Sequence, residues 1–376
     1  MLRTRPALTV LMAVAALAVL LVARWTGPGE QRGAGPPALR GPGATIATGP
    51  ARPPAEVPAA TIYLAGRDPV GIVLPGGDMR TVPVPIERSA SISQLPGATI
   101  VLTAGIAWAI PAGRGPVRRL GQASAVLPAP EPGRVWLIGA GAAGPGGYEL
   151  HEVSLADGRV LATKGLPSWA PPVAVTSAGV VTRNLVAGGL DLRPTPDLVA
   201  RIELTREGTF ADARGSLVAW AGPDGVHLRD LVSGRERVVP PPAGSPAWFV
   251  FGPPARVACC HHVGAFAPDG RTLAMFTEVT AEGDPGLAVI DVRAGTASPV
   301  PGSADAIPAG CGTCLSWHPD GGWLFYLGAT PWNIGAYHLG DDTALPLALD
   351  LETKGLAVPE GIACASSGEA FRVGVR

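Results

Sequence analysis

No excess of either charge marks this 376-residue chain, in which 29 basic residues face 30 acidic ones for a formal net charge of -1. Phosphate binding draws on a clustered basic surplus, so there is no electrostatic case for a nucleic-acid partner. Catalytic signatures are missing too. There is no G-x-S-x-G elbow, and no helical pattern that would build the α/β domain around one. No P-loop occurs, and the glycine-rich GAGAAGPGG from Gly139 to Gly147 leads into the strand pattern YELHEV instead of opening a helix. These absences favour a binding domain over an enzyme, although a site can also be assembled from scattered loops.

One long apolar run is present. Pro6 to Ala23, PALTVLMAVAALAVLLVA, contains no charge and is bounded by Arg3 and Arg5 before and Arg24 after. About 20 residues at 1.5 Å rise cross a hydrocarbon core, so residues 6–23 read as a transmembrane signal-anchor helix. A cleaved signal peptide is the competitor, but the run is long for one and ARWTGPGE offers no A-x-A site. The lack of a cysteine near its end rules out a lipid anchor there. Arg flanks both ends, so orientation rests on the short tail of residues 1–5 staying in the cytoplasm while the long C-terminal part is exported. Residues 24–59 are dominated by Gly, Pro, Ala and Arg and cannot bury enough apolar surface to offset their ordering entropy, which makes them a disordered linker. The expected product is a single-pass membrane protein with residues 60–376 extracytoplasmic.

Beyond Ala60 helical periodicity disappears. Short runs such as TIYLAG, TIVLTAG, RVWLIGA, SLVAWAG, TLAMFTEV and WLFYLG, rich in Val, Ile, Leu, Trp and Thr and bounded by Gly, Pro or Asp, read as strands. Hairpin signatures recur among them: VSLADGRVLA, RDLVSGRERVV, IDVRAGTASPV and YHLGDDTALPL, with weaker copies at IVLPGGDMRTV, AIPAGRGPVRRL and LDLRPTPDLVARI. Gly and Asp supply the backbone conformations such turns need. The turn centres near Gly76, Arg114, Asp157, Thr195, Gly234, Ala294 and Asp341 are separated by 38, 43, 38, 39, 60 and 47 residues. One four-stranded blade per period predicts an all-β chain folded as a single β-propeller of seven blades, with six or eight left open by the 60-residue interval. The stretch GIACASSGEAFRVGVR supplies extra strand to pair with the first blade and close the ring.

Three blade starts, FADARGSLVAWAG, FAPDGRTLAMF and WHPDGGWLFYL, place Phe210, Phe266 and Trp317 at matching positions. These residues resemble the TolB-type, WD40-like propeller repeat: an aromatic, then Ser or Ala, Pro, Asp and Gly, a strand, and later an Asp-bearing hairpin. The copy at Phe266–Gly270 with Ile290-Asp291 matches well. The copy at Trp317–Gly321 keeps the turn but carries Tyr337-His338 where the later Asp would stand. The resemblance covers about residues 208 to 350 and implies the fold, with Asp269-Gly270 and Asp320-Gly321 as blade turns. It does not imply an activity, because this repeat serves many roles.

The local cluster that invites chemistry is Cys259-Cys260-His261-His262 with Cys311-Gly312-Thr313-Cys314. Cys260 and Cys311 are 51 residues apart, as are Pro268 and Pro319, so they hold equivalent places just before the first strands of consecutive blades, on one face near the ring axis. In an exported protein the expectation is disulfide pairing among Cys259, Cys260, Cys311 and Cys314. The sharper alternative is a Zn or Cu site on Cys260, His261, His262, Cys311 and Cys314, disfavoured by the lack of a second C-x-x-C or an H-x-x-x-H. No cofactor is expected. Cys364 reads as packing in the closing strand. His318 reads as a solvated turn residue, and His151, His227 and His338 as strand residues without carboxylate partners in sequence. Trp248, Phe249 and Phe251 form a candidate contact patch, against the reading that they pack a core strand.

The reading is therefore a non-catalytic, membrane-tethered extracytoplasmic propeller that binds a protein or small ligand on one ring face. The alternative is a propeller enzyme or metal-binding protein centred on residues 259–262 and 311–314.

Overall fold

Runs of β-branched, aromatic and leucine residues become strands throughout, because such side chains pack well on pleated surfaces and Gly, Pro and Asp interrupt them. The computed structural model describes residues 56–65, 69–74, 76, 78–86, 90–112, 115–139, 147–248, 263–278, 285–304, 306, 315–329, 332–347 and 361–366. All of them lie in the unit Pro53–Arg376. The anchor segment 6–23 and nearly all of the linker fall outside the described residues; among the described residues no helix is long and apolar enough to cross a membrane.

Twenty-eight strands form seven antiparallel four-stranded sheets. Blade 1 is built from β1 (Ala60–Ala65), β2 (Val70–Leu74), β3 (Asp78–Thr81) and β28 (Gly361–Ser366). Blade 2 takes β4 (Ala90–Leu95), β5 (Ala98–Thr103), β6 (Ile106–Pro111) and β7 (Arg118–Gln122). Blade 3 takes β8 (Ala125–Pro128), β9 (Arg134–Ile138), β10 (Tyr148–Ser154) and β11 (Val160–Leu166). Blade 4 takes β12 (Pro172–Thr176), β13 (Gly179–Arg183), β14 (Leu190–Pro194) and β15 (Ile202–Thr205). Blade 5 takes β16 (Thr209–Arg214), β17 (Leu217–Gly222), β18 (Gly225–Asp230) and β19 (Glu236–Val239). Blade 6 takes β20 (Gly264–Phe266), β21 (Thr272–Glu278), β22 (Pro285–Asp291) and β23 (Thr296–Pro299). Blade 7 takes β24 (Leu315–Trp317), β25 (Trp323–Ala329), β26 (Trp332–His338) and β27 (Thr343–Leu347). The fold is a seven-bladed β-propeller.

The ring closes by sharing blade 1 between the two ends of the unit. β28 is the innermost strand of that blade and pairs with β1 from Ala60 opposite Ser366 to Ala65 opposite Gly361, with Cys364 opposite Ile62. It also touches the innermost strands β24 and β4 on either side. Closure removes the edges that an open sheet of this kind would present. Of the stretch expected to close the ring, the described part is the strand Gly361–Ser366. At the other end Val57, just before the expected boundary at residue 60, packs against the core.

All seven anticipated turn centres fall between the third and fourth strands of a blade. The 60-residue interval contains the long connection from β19 to β20, and its described residues hold no further blade. Because strands alternate in direction, every blade-to-blade connection and every turn between its second and third strands lies on one face, here the connection face. The first-to-second and third-to-fourth turns lie on the other, the turn face.

Burial explains why the middle strands lack a two-residue alternation. β1 is buried at all six positions and β17 at five of six, since each sheet is covered by both neighbours, while the outer β3 is exposed along its length. Apolar clusters run right round the ring. Ile92 and Val101 meet Tyr63 between blades 1 and 2, Leu137 meets Ile100 between 2 and 3, and Trp136 meets Val180 between 3 and 4. Trp220 meets Leu192 between 4 and 5, Met275 meets Val226 between 5 and 6, and Phe325 joins blade 7 to Phe276 and Ile62. Each fully buried side chain of this size contributes about 1.5–3 kcal/mol.

Polar ties cross the same seams. Trp317 Nε1 donates to Ala265 O at 2.8 Å, and Arg214 Nη2 donates to Pro268 O at 2.7 Å. The Asp212 carboxylate accepts the N–H of Phe266 at 2.7 Å and that of Ala213 at 2.8 Å. Burial pushes the Asp212 carboxyl up to about 6 against the pull of those two bonds. The aromatic blade starts Phe210, Phe266 and Trp317 are all buried on the innermost strands.

Candidate functional site

The residues singled out by sequence separate into three groups. Cys259, Cys260, His261, His262, Cys311 and Cys314, with Phe249 and Phe251, lie outside the described residues. The strands that the two cysteine motifs precede begin at Gly264 and Leu315, 51 residues apart and in consecutive blades. Among the described residues no three His, Cys, Asp or Glu side chains converge on a point that would hold a metal ion.

The second group is structural. Asp269 Oδ1 accepts the N–H of Arg271 at 2.9 Å, and Asp320 Oδ1 accepts that of Gly322 at 2.8 Å, closing the two blade turns. Gly270 and Gly321 occupy φ of 71° and 79°, where a Cβ would be strained. In the outer hairpins Asp230 and Asp291 do a matching job, accepting the N–H of Val232 at 2.9 Å and of Ala294 at 2.7 Å.

In the third group, Trp248 follows the core-packing reading and not the contact-patch one: it is 3% exposed, donates from Nε1 to Val239 O at 3.0 Å, and packs with Val263 and Phe266. An indole that finds both apolar cover and an acceptor is better placed inside than out. The histidines depart from expectation. His318 is not solvated but 8% exposed, with Nδ1 2.9 Å from Asp320 Oδ1. The strand histidines do have carboxylate partners. His151 Nε2 lies 3.5 Å from Glu149, His338 Nδ1 lies 3.1 Å from Asp341, and His227 is gripped on both nitrogens by Asp224 and Glu236. Glu149 lies two residues before His151 on the same face of β10, Asp224 and Asp341 sit in turns three residues from their histidines, and Glu236 comes from a diagonal place on the next strand.

Two features that sequence did not reveal remain. On the connection face of blade 4 the tight turn between β13 and β14 exposes Leu185 (59%) and Val186 (80%) at its tip. Asn184 shapes it: its Oδ1 accepts the N–H of Val186 at 3.0 Å and of Ala187 at 2.8 Å, while its Nδ2 donates to Asp191 Oδ2 at 3.0 Å. Asp191 is buried and also holds Arg201 Nε at 2.9 Å. Leu185 N donates to the backbone of half-buried Trp169 at 3.0 Å. Trp169 in turn lies under the Arg193 guanidinium, 4.8 Å from its ring centre. The apolar tip is therefore held by a chain of polar contacts running into the blade.

On the turn face a notch of about 340 Å³ opens between blades 2 and 3. Its walls are the turns at Pro96-Gly97 and Gly133, the residues Pro111 and Gly115, and the turn at Leu155-Ala156. Among the described residues six of the ten that line it are Gly or Ala, which leaves the seam open there, and Arg118 is the one charged group.

No family model matches this chain, and no curated protein matches it. Solved structures do. A functionally unknown protein from Desulfotomaculum acetoxidans is 11% identical with a TM-score of 0.50, over 82% of this chain and 99% of its own. AztD from Citrobacter koseri is 12% identical with a TM-score of 0.47, over 83% of this chain and 99% of its own. TolB from Acinetobacter baumannii is 11% identical with a TM-score of 0.43, over 81% of this chain and 66% of its own. At these identities the likeness is one of fold.

Proposed function

We propose that the chain is a non-catalytic binding propeller, tethered to a membrane by residues 6–23 with the ring on the extracytoplasmic side, and that it docks a protein partner through its connection face at blade 4. The observation that carries the reading is the preformed tip at Leu185-Val186. Two adjacent aliphatic side chains stand in solvent at the end of a turn whose backbone is already bonded, so a partner that covers them gains apolar burial without ordering the loop. Burying both is worth about 2–4 kcal/mol at the transfer rate for aliphatic side chains. Isolated exposed apolar residues are ordinary, but a rigid apolar pair beside a half-buried tryptophan has the make-up of an interface centre.

The test is site-specific photocrosslinking in native membranes. A photoreactive residue at position 186 is expected to trap a discrete product, and Leu185→Asp to abolish it. The same residue at position 232, 74% exposed on the turn face, is expected to trap nothing. No product at 186, or equal products at both positions, overturns the reading.

A further inference from the structure

We propose that the notch between blades 2 and 3 is a second binding site, independent of the blade 4 tip, for a small organic carboxylate with a short apolar body. The argument starts from Arg118. The residue is half-buried at the start of β7 and its Nη1 donates to Leu155 O at 2.8 Å, tying blade 2 to blade 3. A guanidinium carries five N–H donors, and among the described residues only Leu155 takes one. Among the described residues no acidic side chain lines the notch, whereas other arginines have carboxylates at hand: Arg134 with Glu152, Arg201 with Asp191, Arg206 with Glu203, Arg229 with Glu236.

A partly desolvated cation with uncommitted donors on an open cavity calls for an anion to complete it. Guanidinium geometry matches a planar carboxylate through two parallel bonds. The rest of the lining is apolar or small, with Pro96, Pro111 and Leu155 supplying the larger surfaces, so the remainder of the ligand is hydrocarbon. A volume of about 340 Å³ sits near the lower end for ligand sites, which limits the guest to a few heavy atoms beyond the carboxylate.

The experiment is calorimetric titration of the full chain with butyrate and benzoate, against butyramide and inorganic phosphate. Saturable binding of at least one of the two carboxylates is expected, with the neutral amide and phosphate weaker. Arg118→Gln is expected to weaken carboxylate binding by roughly tenfold or more, the scale of a lost charge-assisted pair. Ala156→Phe, at an exposed turn position on the rim, fills the notch without touching the core and is expected to block binding. It decides the matter if the Arg118 variant proves misfolded by its circular dichroism melt. Arg119→Gln, on the neighbouring exposed side of β7, and Leu185→Asp should bind as the parent does. No saturable binding by the parent chain, unchanged binding after both Arg118→Gln and Ala156→Phe, or phosphate binding as tightly as the carboxylates overturns the proposal. A tip that crosslinks nothing leaves this result untouched, so the two sites fail separately.

Discussion

His227 makes blade 5 sensitive to pH, and the direction follows from its surroundings. Nε2 lies 2.8 Å from Asp224 Oδ1 and Nδ1 lies 2.7 Å from Glu236 Oε1. The ring stacks on Trp220 with centroids 5.0 Å apart and 7° between planes. Only the imidazolium donates from both nitrogens. Burial pulls its pKa down, but the bonds from Glu236 and Asp224 together outweigh burial and raise it above 6.5. The folded chain therefore keeps a proton that the unfolded chain gives up. That stabilisation is complete below pH 6.5 and fades as pH rises through the raised value. Asp224 is held below its ordinary value, mainly by the His227 bond, so its share is present above about pH 4 and is lost as pH falls through the lowered value.

The triad thus contributes most between about pH 4 and 6.5. Asp224 is largely in solvent and its pairing is screened, which leaves the Glu236 bond and the stack on Trp220 as the main contributions, together about 1–2 kcal/mol. His227→Gln should therefore be less stable than the parent by about 1–2 kcal/mol at pH 5.5, and the gap should shrink by at least half at pH 8.5. Urea unfolding of the full chain followed by circular dichroism at both pH values measures the gap. A gap that stays constant, or widens with pH, refutes the reasoning.

Two further outcomes follow from the ring itself. Trp248→Ala removes a buried indole and its bond to Val239 O, so it should lower stability by about 3–5 kcal/mol in the same unfolding assay while photocrosslinking from position 186 persists; a surface-patch tryptophan would show the opposite pattern. Ending the chain after residue 360 strips β28 from β1 and opens the ring between β24 and β4, so the product should aggregate or melt without cooperativity. A monomer that melts at the parent temperature without β28 would contradict closure through that strand.

What was legible in the sequence was whatever the chain settles locally. The outer hairpins could be counted because their turn residues carry their own reason: Asp230 and Asp291 bond the backbone two or three residues on, and Gly234 and Gly295 take φ of 70°. The blade starts could be aligned because one aromatic recurs at the place where two blades meet, as Trp317 shows by bonding Ala265 across the seam. The sites obey a different rule. Glu236 reaches His227 only because the β18–β19 register sets Arg229 opposite Glu236 and His227 opposite Val238, leaving the carboxylate on the diagonal. Arg118 is one of 29 basic residues until four stretches of backbone from two blades, most of them Gly, Ala or Pro, leave a gap in front of it. In a propeller each blade repeats the same hairpins, so departures from the repeat must arise where neighbouring blades fail to fill the seam or where a turn holds an apolar pair in water. Both kinds of departure are set by ring geometry, and for that reason the two binding sites proposed for this chain lie at a seam and at a turn tip.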